Sequence, residues 1–217
     1  MKIFLDTANL NEIRKAKAVG LVDGITTNPT LLAKEGEKAE TLIRKISEEV
    51  RGPVNVEVTG TTHEEMVKEA RVMATWGGEI VIKVPINLEG LKVVKTLSSE
   101  GIRTNVTLVF SASQAILAAK AGATYVCPFV GRLDDISFNG LELIRQIREI
   151  YLNYGEIATK IVVASVRHPI HVIESALMGA EIVTIPPAVL EQMAKHPLTD
   201  KGIAQFLEDA KKIPTRK

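Results

Sequence analysis

The stretch GEIVIKVPINLEGLKVVKTLSSEGIRTNVTLV, residues 78–109, holds one complete repeat of a fold. EIVIKV (79–84) is a run of β-branched residues, as expected of a strand covered on both faces in a parallel sheet. LEGLKVVKTLSS (88–99) spaces its apolar residues at helical intervals. Gly101 falls where a helix stops in the left-handed conformation, and IRTNVTLV (102–109) begins the next strand. One residue is out of place. Lys83 stands near the end of an apolar strand, although desolvating an ammonium costs several kcal/mol unless it is paired.

The same strand–helix unit recurs along the whole chain. The other predicted strands are KIFLDT (2–7), DGITT (23–27), VNVEVT (54–59), TYVCPF (124–129), KIVVAS (160–165) and EIVTI (181–185). Amphipathic segments separate them, such as ETLIRKISEEV (40–50) and LELIRQIREIYLNYG (141–155). Glycines end several of these segments, at positions 20, 101, 122, 155 and 179. Strand then helix, eight times, predicts an α/β (β/α)8 TIM barrel, with an open doubly wound sheet as the alternative. No G-x-G-x-x-G follows the first strand to favour the open sheet. TDKGIAQFLEDAKKI (199–213) is an extra C-terminal helix, expected to pack on the barrel body or on a neighbouring subunit. No linker or low-complexity segment interrupts residues 1–217, so one domain is expected.

Composition narrows the function. A net charge of +1 and 4% aromatic residues offer neither a field nor stacking platforms for nucleic acid. The single cysteine, Cys127, rules out an intramolecular disulfide and fits a reducing compartment. An aspartate interrupts the N-terminal MKIFLDTANL too early for a secretory segment, and no apolar run approaches the ~18 residues of a membrane span. The expectation is a cytoplasmic protein with no membrane partner.

Polar residues gather at one end of the strands: Asp6, Thr26, Asn28, Glu57, Lys83, Asn105, Thr107, Arg132, Ser165 and Arg167. In a (β/α)8 barrel those ends converge on one mouth. Each has a plainer reading. Asp6 and Asn28 could form turns or helix caps, the hydroxyls could bond backbone, and the arginines could be ordinary surface residues. Glu57 and Lys83 could form a structural ion pair. Buried pairs rarely add net stability, so two such charges argue for chemistry.

Burial disfavours the charged form of an amine, and a neutral amine adds to a carbonyl to form a Schiff base. A nearby carboxylate, Asp6 or Glu57, can shuttle the protons. Arg132, Ser165 and Arg167 have the donors for a phosphate clamp. These residues predict a Schiff-base enzyme acting on a phosphorylated carbonyl compound. Zinc chemistry lacks ligands: of the four histidines only those of HPIH (168–171) lie close together, without a cysteine or carboxylate cluster. Cys127 has no histidine spaced to activate it and reads as a small buried residue.

Together these motifs resemble the small transaldolase family, which includes the fructose-6-phosphate aldolases. FLDTAN (4–9), DGITTNPTL (23–31), VEV (56–58), VIKVP (81–85), GIRTNVTLVFSASQA (101–115), AGATYVCPFVGRLDD (121–135), VASVRHP (163–169) and HPLTDKGI (196–203) occur in order. The resemblance implies Lys83 as the Schiff-base lysine and no cofactor or metal. It implies Asp6 as the acid/base at the substrate C4 hydroxyl, with Glu57 and Thr107 holding a proton-relaying water. Asn28 and Asn105 would bind hydroxyls of a dihydroxyacetone unit beside Thr26, and Arg132, Ser165 and Arg167 the phosphate of a sugar-phosphate substrate. Fructose-6-phosphate aldolases resembling this chain carry glutamine and tyrosine where Glu57 and Phe129 stand, whereas transaldolases carry glutamate and phenylalanine. Phe129 therefore joins the substrate-contacting set. Many relatives have serine at Cys127. The family also implies a homo-oligomer, a decamer of two pentameric rings. The expected activity is a transaldolase of the pentose phosphate pathway, with an aldolase releasing free dihydroxyacetone as the alternative. A sugar-phosphate binding protein and an isomerase are the readings without a Schiff base.

Overall fold

In the computed structural model, which describes residues 1–213, eight parallel strands close on themselves in sequence order. They are β1 Lys2–Asp6, β2 Gly24–Thr26, β3 Val54–Glu57, β4 Ile80–Pro85, β5 Thr104–Val109, β6 Tyr125–Pro128, β7 Lys160–Val163 and β8 Ile182–Ile185. This is the TIM barrel that the sequence predicts, with each strand end within two residues of its expected position.

The helices are α1 Leu10–Ala18, α2 Pro29–Glu35, α3 Ala39–Glu49, α4 His63–Met73, α5 Leu88–Ser99, α6 Ala112–Ala121, α7 Val130–Asp134, α8 Gly140–Asn153, α9 Pro169–Leu177, α10 Pro187–Ala194 and α11 Pro197–Ala210. Short polar side chains start six of them, at Asn9, Asn28, Thr62, Asn87, Ser111 and Asn139. Thr62 and Glu65 form a reciprocal capping box on α4, and Asn28 accepts the Leu31 N–H with Pro29 at the first turn of α2. Gly122 ends α6 at φ 92°, a left-handed position that costs glycine little. Gly155 does not play that part: α8 ends instead at Tyr154 in extended conformation. α11 is the extra C-terminal helix, and none of its residues is buried.

Strand periodicity divides the core into two layers. Ile80, Ile82 and Val84 of β4 face outward into the large cluster beneath the helices. Val81 faces inward, with Phe4, Tyr125, Cys127, Val162, Ala164 and Ile182. Phe4 and Tyr125 meet edge to face at 6.4 Å across this plug. Gly24 makes room for it, since a Cβ there would come within 2.7 Å of the Phe4 ring. Two residues further along the strands, the inward positions turn polar: Asp6 above Phe4, Lys83 above Val81 and Thr184 above Ile182. The apolar plug is the floor on which these polar groups stand.

β5 departs from regular pairing. Its register to β6 slips between Val106 and Val109, and Leu108 adopts φ 60°. A bulky residue in the left-handed region marks a bulge, a device common beside functional sites.

Candidate active site

Lys83 leaves β4 toward the barrel axis and is 3% exposed. Its Nζ donates to the Thr27 carbonyl at 2.8 Å and lies 3.1 Å from Glu57 Oε2. Glu57 and Lys83 are direct partners in the β3–β4 register, and Lys83 pairs onward with Asn105. The ion pair considered from sequence is therefore present. It stands at the base of an open cavity, which leaves the amine reachable by a ligand.

Asp6 closes β1 at the same level. It does not cap α1; Asn9 does that, accepting from Asn11 and Glu12. Asp6 Oδ1 accepts from Thr26 Oγ1 at 2.7 Å, and Thr26 Oγ1 lies 2.6 Å from Thr184 Oγ1. Thr26 has one hydroxyl proton and gives it to Asp6, so Thr184 must be the donor to Thr26. Burial raises the Asp6 carboxyl above its ordinary range, against the opposing pull of the Thr26 hydroxyl and Lys83. A carboxyl held this way keeps a proton more readily than a surface aspartate, which suits an acid/base.

Asn105 is fully buried. Its Nδ2 donates to Asn55 Oδ1 at 2.9 Å, and Asn55 Nδ2 donates to the Ile25 carbonyl. Asn105 Oδ1 and Thr107 Oγ1 have no hydrogen-bond partner among the described residues. Buried polar atoms left alone are costly in a finished core; in the β4–β5 register Asn105 stands opposite Lys83, and Thr107 opposite Pro85, two residues further on. Asn28 caps α2 with its Oδ1, and its side chain lines the cavity as well.

A cavity of about 440 Å³ runs from Asp6, Lys83 and Cys127 to Arg132, Ser165 and Arg167. A second one of about 400 Å³ reaches toward Glu57 and Leu108, and Lys83, Asn28, Phe129 and Arg132 border both. Arg132 lies on α7, its guanidinium 4.9 Å from the Phe129 ring centre. Ser165 sits in the left-handed region at φ 57°. Arg167 reaches Asp135 at 2.8 Å with its side chain about half exposed. Burial pushes the Cys127 thiol up to about 12, so it presents a neutral S–H to the cavity. Among the described residues no group of three or more His, Cys, Asp or Glu could hold a metal. No helix among them is long and apolar enough to cross a membrane.

The transaldolase/fructose-6-phosphate aldolase family matches residues 3–216. A probable transaldolase of Maridesulfovibrio salexigens is 59% identical over 213 residues, covering 98% of this chain and 99% of its own. Probable transaldolases of Anaeromyxobacter sp. (strain Fw109-5) and Caldicellulosiruptor saccharolyticus are each 56% identical over 216 residues, covering both chains fully. The chain belongs to the transaldolase/fructose-6-phosphate aldolase family.

In this family member, sequence reasoning overlooked Thr184 and Asn55. Thr184 occupies the late, inward position of EIVTI, where the rule that singled out Thr107 applies equally. Asn55 lies one layer deeper and orients Asn105 from below.

Proposed function

We propose that this chain is a transaldolase that moves a dihydroxyacetone unit between sugar phosphates. The donor is a ketose phosphate, fructose 6-phosphate or sedoheptulose 7-phosphate, and the acceptor an aldose phosphate, erythrose 4-phosphate or glyceraldehyde 3-phosphate. The observation that carries the reading is the buried Lys83, within 3.1 Å of Glu57 at the base of a cavity whose far end holds two arginines.

Lys83 passes a proton to Glu57, and its free amine adds to C2 of the ketose; the carbinolamine then loses water to give an iminium. Glu57 and Thr107 hold the water that relays these protons. Asp6 takes the proton of the C4 hydroxyl; the C3–C4 bond breaks, its electrons enter the iminium, and an aldose phosphate departs. The enamine left on Lys83 attacks the aldehyde carbon of the acceptor, Asp6 returns the proton, and water releases the new ketose phosphate. Asn28 and Asn105 hold hydroxyls of the three-carbon unit, and Arg132, Ser165 and Arg167 hold the phosphate. No step calls for a cofactor.

Phe129 favours transfer over release. It borders both cavities beside Lys83 and carries no hydroxyl that could protonate the enamine. Aldolase activity with free dihydroxyacetone is the second reading. Release of glyceraldehyde 3-phosphate from fructose 6-phosphate, with and without erythrose 4-phosphate, separates the two. Release that needs the acceptor supports transfer; equal release in its absence overturns it.

The protomer is a single-domain barrel of the pentose phosphate pathway, working in the cytoplasm within a homo-oligomer, a decamer of two five-membered rings. Leu198, Ile203, Phe206 and Leu207 of α11 are all exposed, which supports a neighbouring copy as the cover of that helix.

A further inference from the structure

His171 lies in the first turns of α9 and is 3% exposed, although nothing in the proposed chemistry uses it. Its Nε2 is 2.9 Å from Asp134 Oδ2, and its Nδ1 accepts the Arg167 backbone N–H at 3.2 Å. One ring nitrogen must carry a proton to meet the carboxylate, and the other must be bare to accept an N–H. The two contacts together select the neutral ring with its proton on Nε2.

We propose that His171 is a positioning residue for the phosphate end of the cavity, and that only its neutral ring holds Arg167 in place. The proposal rests on the reading of Arg132, Ser165 and Arg167 as the phosphate clamp. That clamp is built from two segments, 130–134 and 164–167. Val130 N–H donates to the Ala164 carbonyl and Gly131 N–H to the Ser165 carbonyl, both at 3.0 Å. The Arg167 side chain crosses Gly131 so closely that a Cβ there would stand 2.6 Å from Nε. His171 adds a further tie, from Asp134 on the arm of Arg132 to the backbone of Arg167. Asp134 also accepts the Gly140 N–H at 2.9 Å, so the ring is anchored to the α7–α8 junction.

Of these ties, the His171 ring is the one that a proton can turn from acceptor to donor. The charges facing it are Asp134 from α7, Arg167 from the loop after β7, and His168, whose ring centre lies 3.9 Å away. Arg148 of the adjoining α8 is paired with Glu181 near the far end of α9, and Glu191 of α10 lines the groove toward α1. Burial, helped by His168, keeps the imidazole below its usual range, while Asp134 pulls the other way. A proton on Nδ1 would set one donor against another and release Arg167 from the ring.

The test compares the native protein with His171→Asn and His171→Gln at about pH 7.5 and about pH 4.5, the second set well below the usual imidazole range because burial lowers His171 from it. Asparagine can place its amide oxygen where Nδ1 stands and does not titrate. Glutamine reaches toward Asp134 and leaves the Arg167 N–H without an acceptor. The readouts are KM and kcat for fructose 6-phosphate, and the half-saturating concentration of dihydroxyacetone in borohydride trapping.

At the higher pH His171→Asn is expected to resemble the native protein, whereas His171→Gln raises KM about five- to tenfold, the worth of one hydrogen bond, with little change in kcat. At the lower pH the native KM rises relative to that of His171→Asn; titration of the substrate phosphate is common to both and cancels. Dihydroxyacetone, which has no phosphate, behaves alike in all three. A native KM in His171→Gln, or parallel pH responses of native and His171→Asn, overturns the proposal. So does a weakening of dihydroxyacetone in step with KM, which would mark a merely structural role. Arg132→Ala and Arg167→Ala test the underlying clamp. If neither raises KM for fructose 6-phosphate while dihydroxyacetone trapping persists, the clamp is misplaced and the role of His171 falls with it.

Discussion

Glu57 and Lys83 face each other in register across β3 and β4, 3.1 Å apart, with side chains only 14% and 4% exposed. Each makes the other's burial tolerable. Removing one partner from such a pair costs about 3–5 kcal/mol, because the remaining charge is left uncompensated.

Lys83→Met is therefore expected to do two separable things. It abolishes the borohydride-trapped adduct with fructose 6-phosphate, and it lowers stability toward the bottom of that range, about 3 kcal/mol, since Glu57 retains some access to water. Adding Glu57→Gln should recover much of the stability and none of the adduct. Mass spectrometry of the trapped protein and denaturant unfolding read the two effects. An adduct surviving on another residue would refute the assignment of Lys83.

Asp6→Asn should trade activity for stability. Burial raises the Asp6 carboxyl in the folded protein, so ionising it opposes folding. Its stabilising contribution is full below the ordinary aspartate pKa of about 3.9 and is lost as pH rises through the raised folded value. Asparagine has no such loss and can still accept from Thr26. The Tm of Asp6→Asn relative to the native protein should climb between about pH 4 and pH 7, while kcat at neutral pH falls by about 10²–10⁴. A Tm difference that is flat across this range would contradict the account.

Phe129→Tyr tests the distinction between transfer and release. The ring lies beside the Arg132 guanidinium and 5.8 Å, edge to face, from Phe110, and it borders the cavity containing Lys83. A hydroxyl at this position supplies a proton relay that phenylalanine lacks. Glyceraldehyde 3-phosphate formation without acceptor should increase, at the expense of the acceptor-dependent rate. Coupled-enzyme assays with and without erythrose 4-phosphate decide it, and an unchanged ratio would remove Phe129 from the explanation.

Deleting α11 should reduce the size of the assembly while the barrel stays folded. None of its residues is buried in the protomer, so its loss removes no part of the core, yet Phe206 is 75% exposed and Leu198 69%. Sedimentation velocity of a chain ending at Lys195 should show a smaller species than the full chain. An identical sedimentation coefficient would mean that α11 takes no part in assembly.

The strands and the mouth were legible in the sequence because the barrel imposes a simple rule: apolar inward residues first, polar inward residues one pleat later. Phe4 then Asp6, and Val81 then Lys83, follow it openly. Thr184 follows it too and escaped notice, since a threonine in a strand draws less attention than a lysine. What the sequence could not convey is pairing at a distance. The Thr184–Thr26–Asp6 relay spans 158 residues between its two threonines, and the bond from Asn105 to Asn55 joins residues 50 apart. The slip of β5 at Leu108 was equally hidden, for nothing about a leucine in TNVTLV announces a positive φ. The spacing of His168 and His171 shows in the sequence only as a poor metal-ligand pair; the tie from His171 to Arg167 depends on a ring orientation that spacing does not encode.

The contact between Arg167 and Asp135 has a consequence for turnover. Both side chains are more than half exposed, and a pair of that kind is worth about 0–1 kcal/mol. Under the phosphate role proposed for Arg167, Asp135 is a tethered rival to the incoming anion, lowering affinity by a factor of about five at most. In the proposed cycle two phosphorylated products must depart, and too firm a grip on either would stall the next round. A carboxylate on a short leash gives the guanidinium somewhere to return, so that letting go need not wait for bulk solvent to solvate a bare cation.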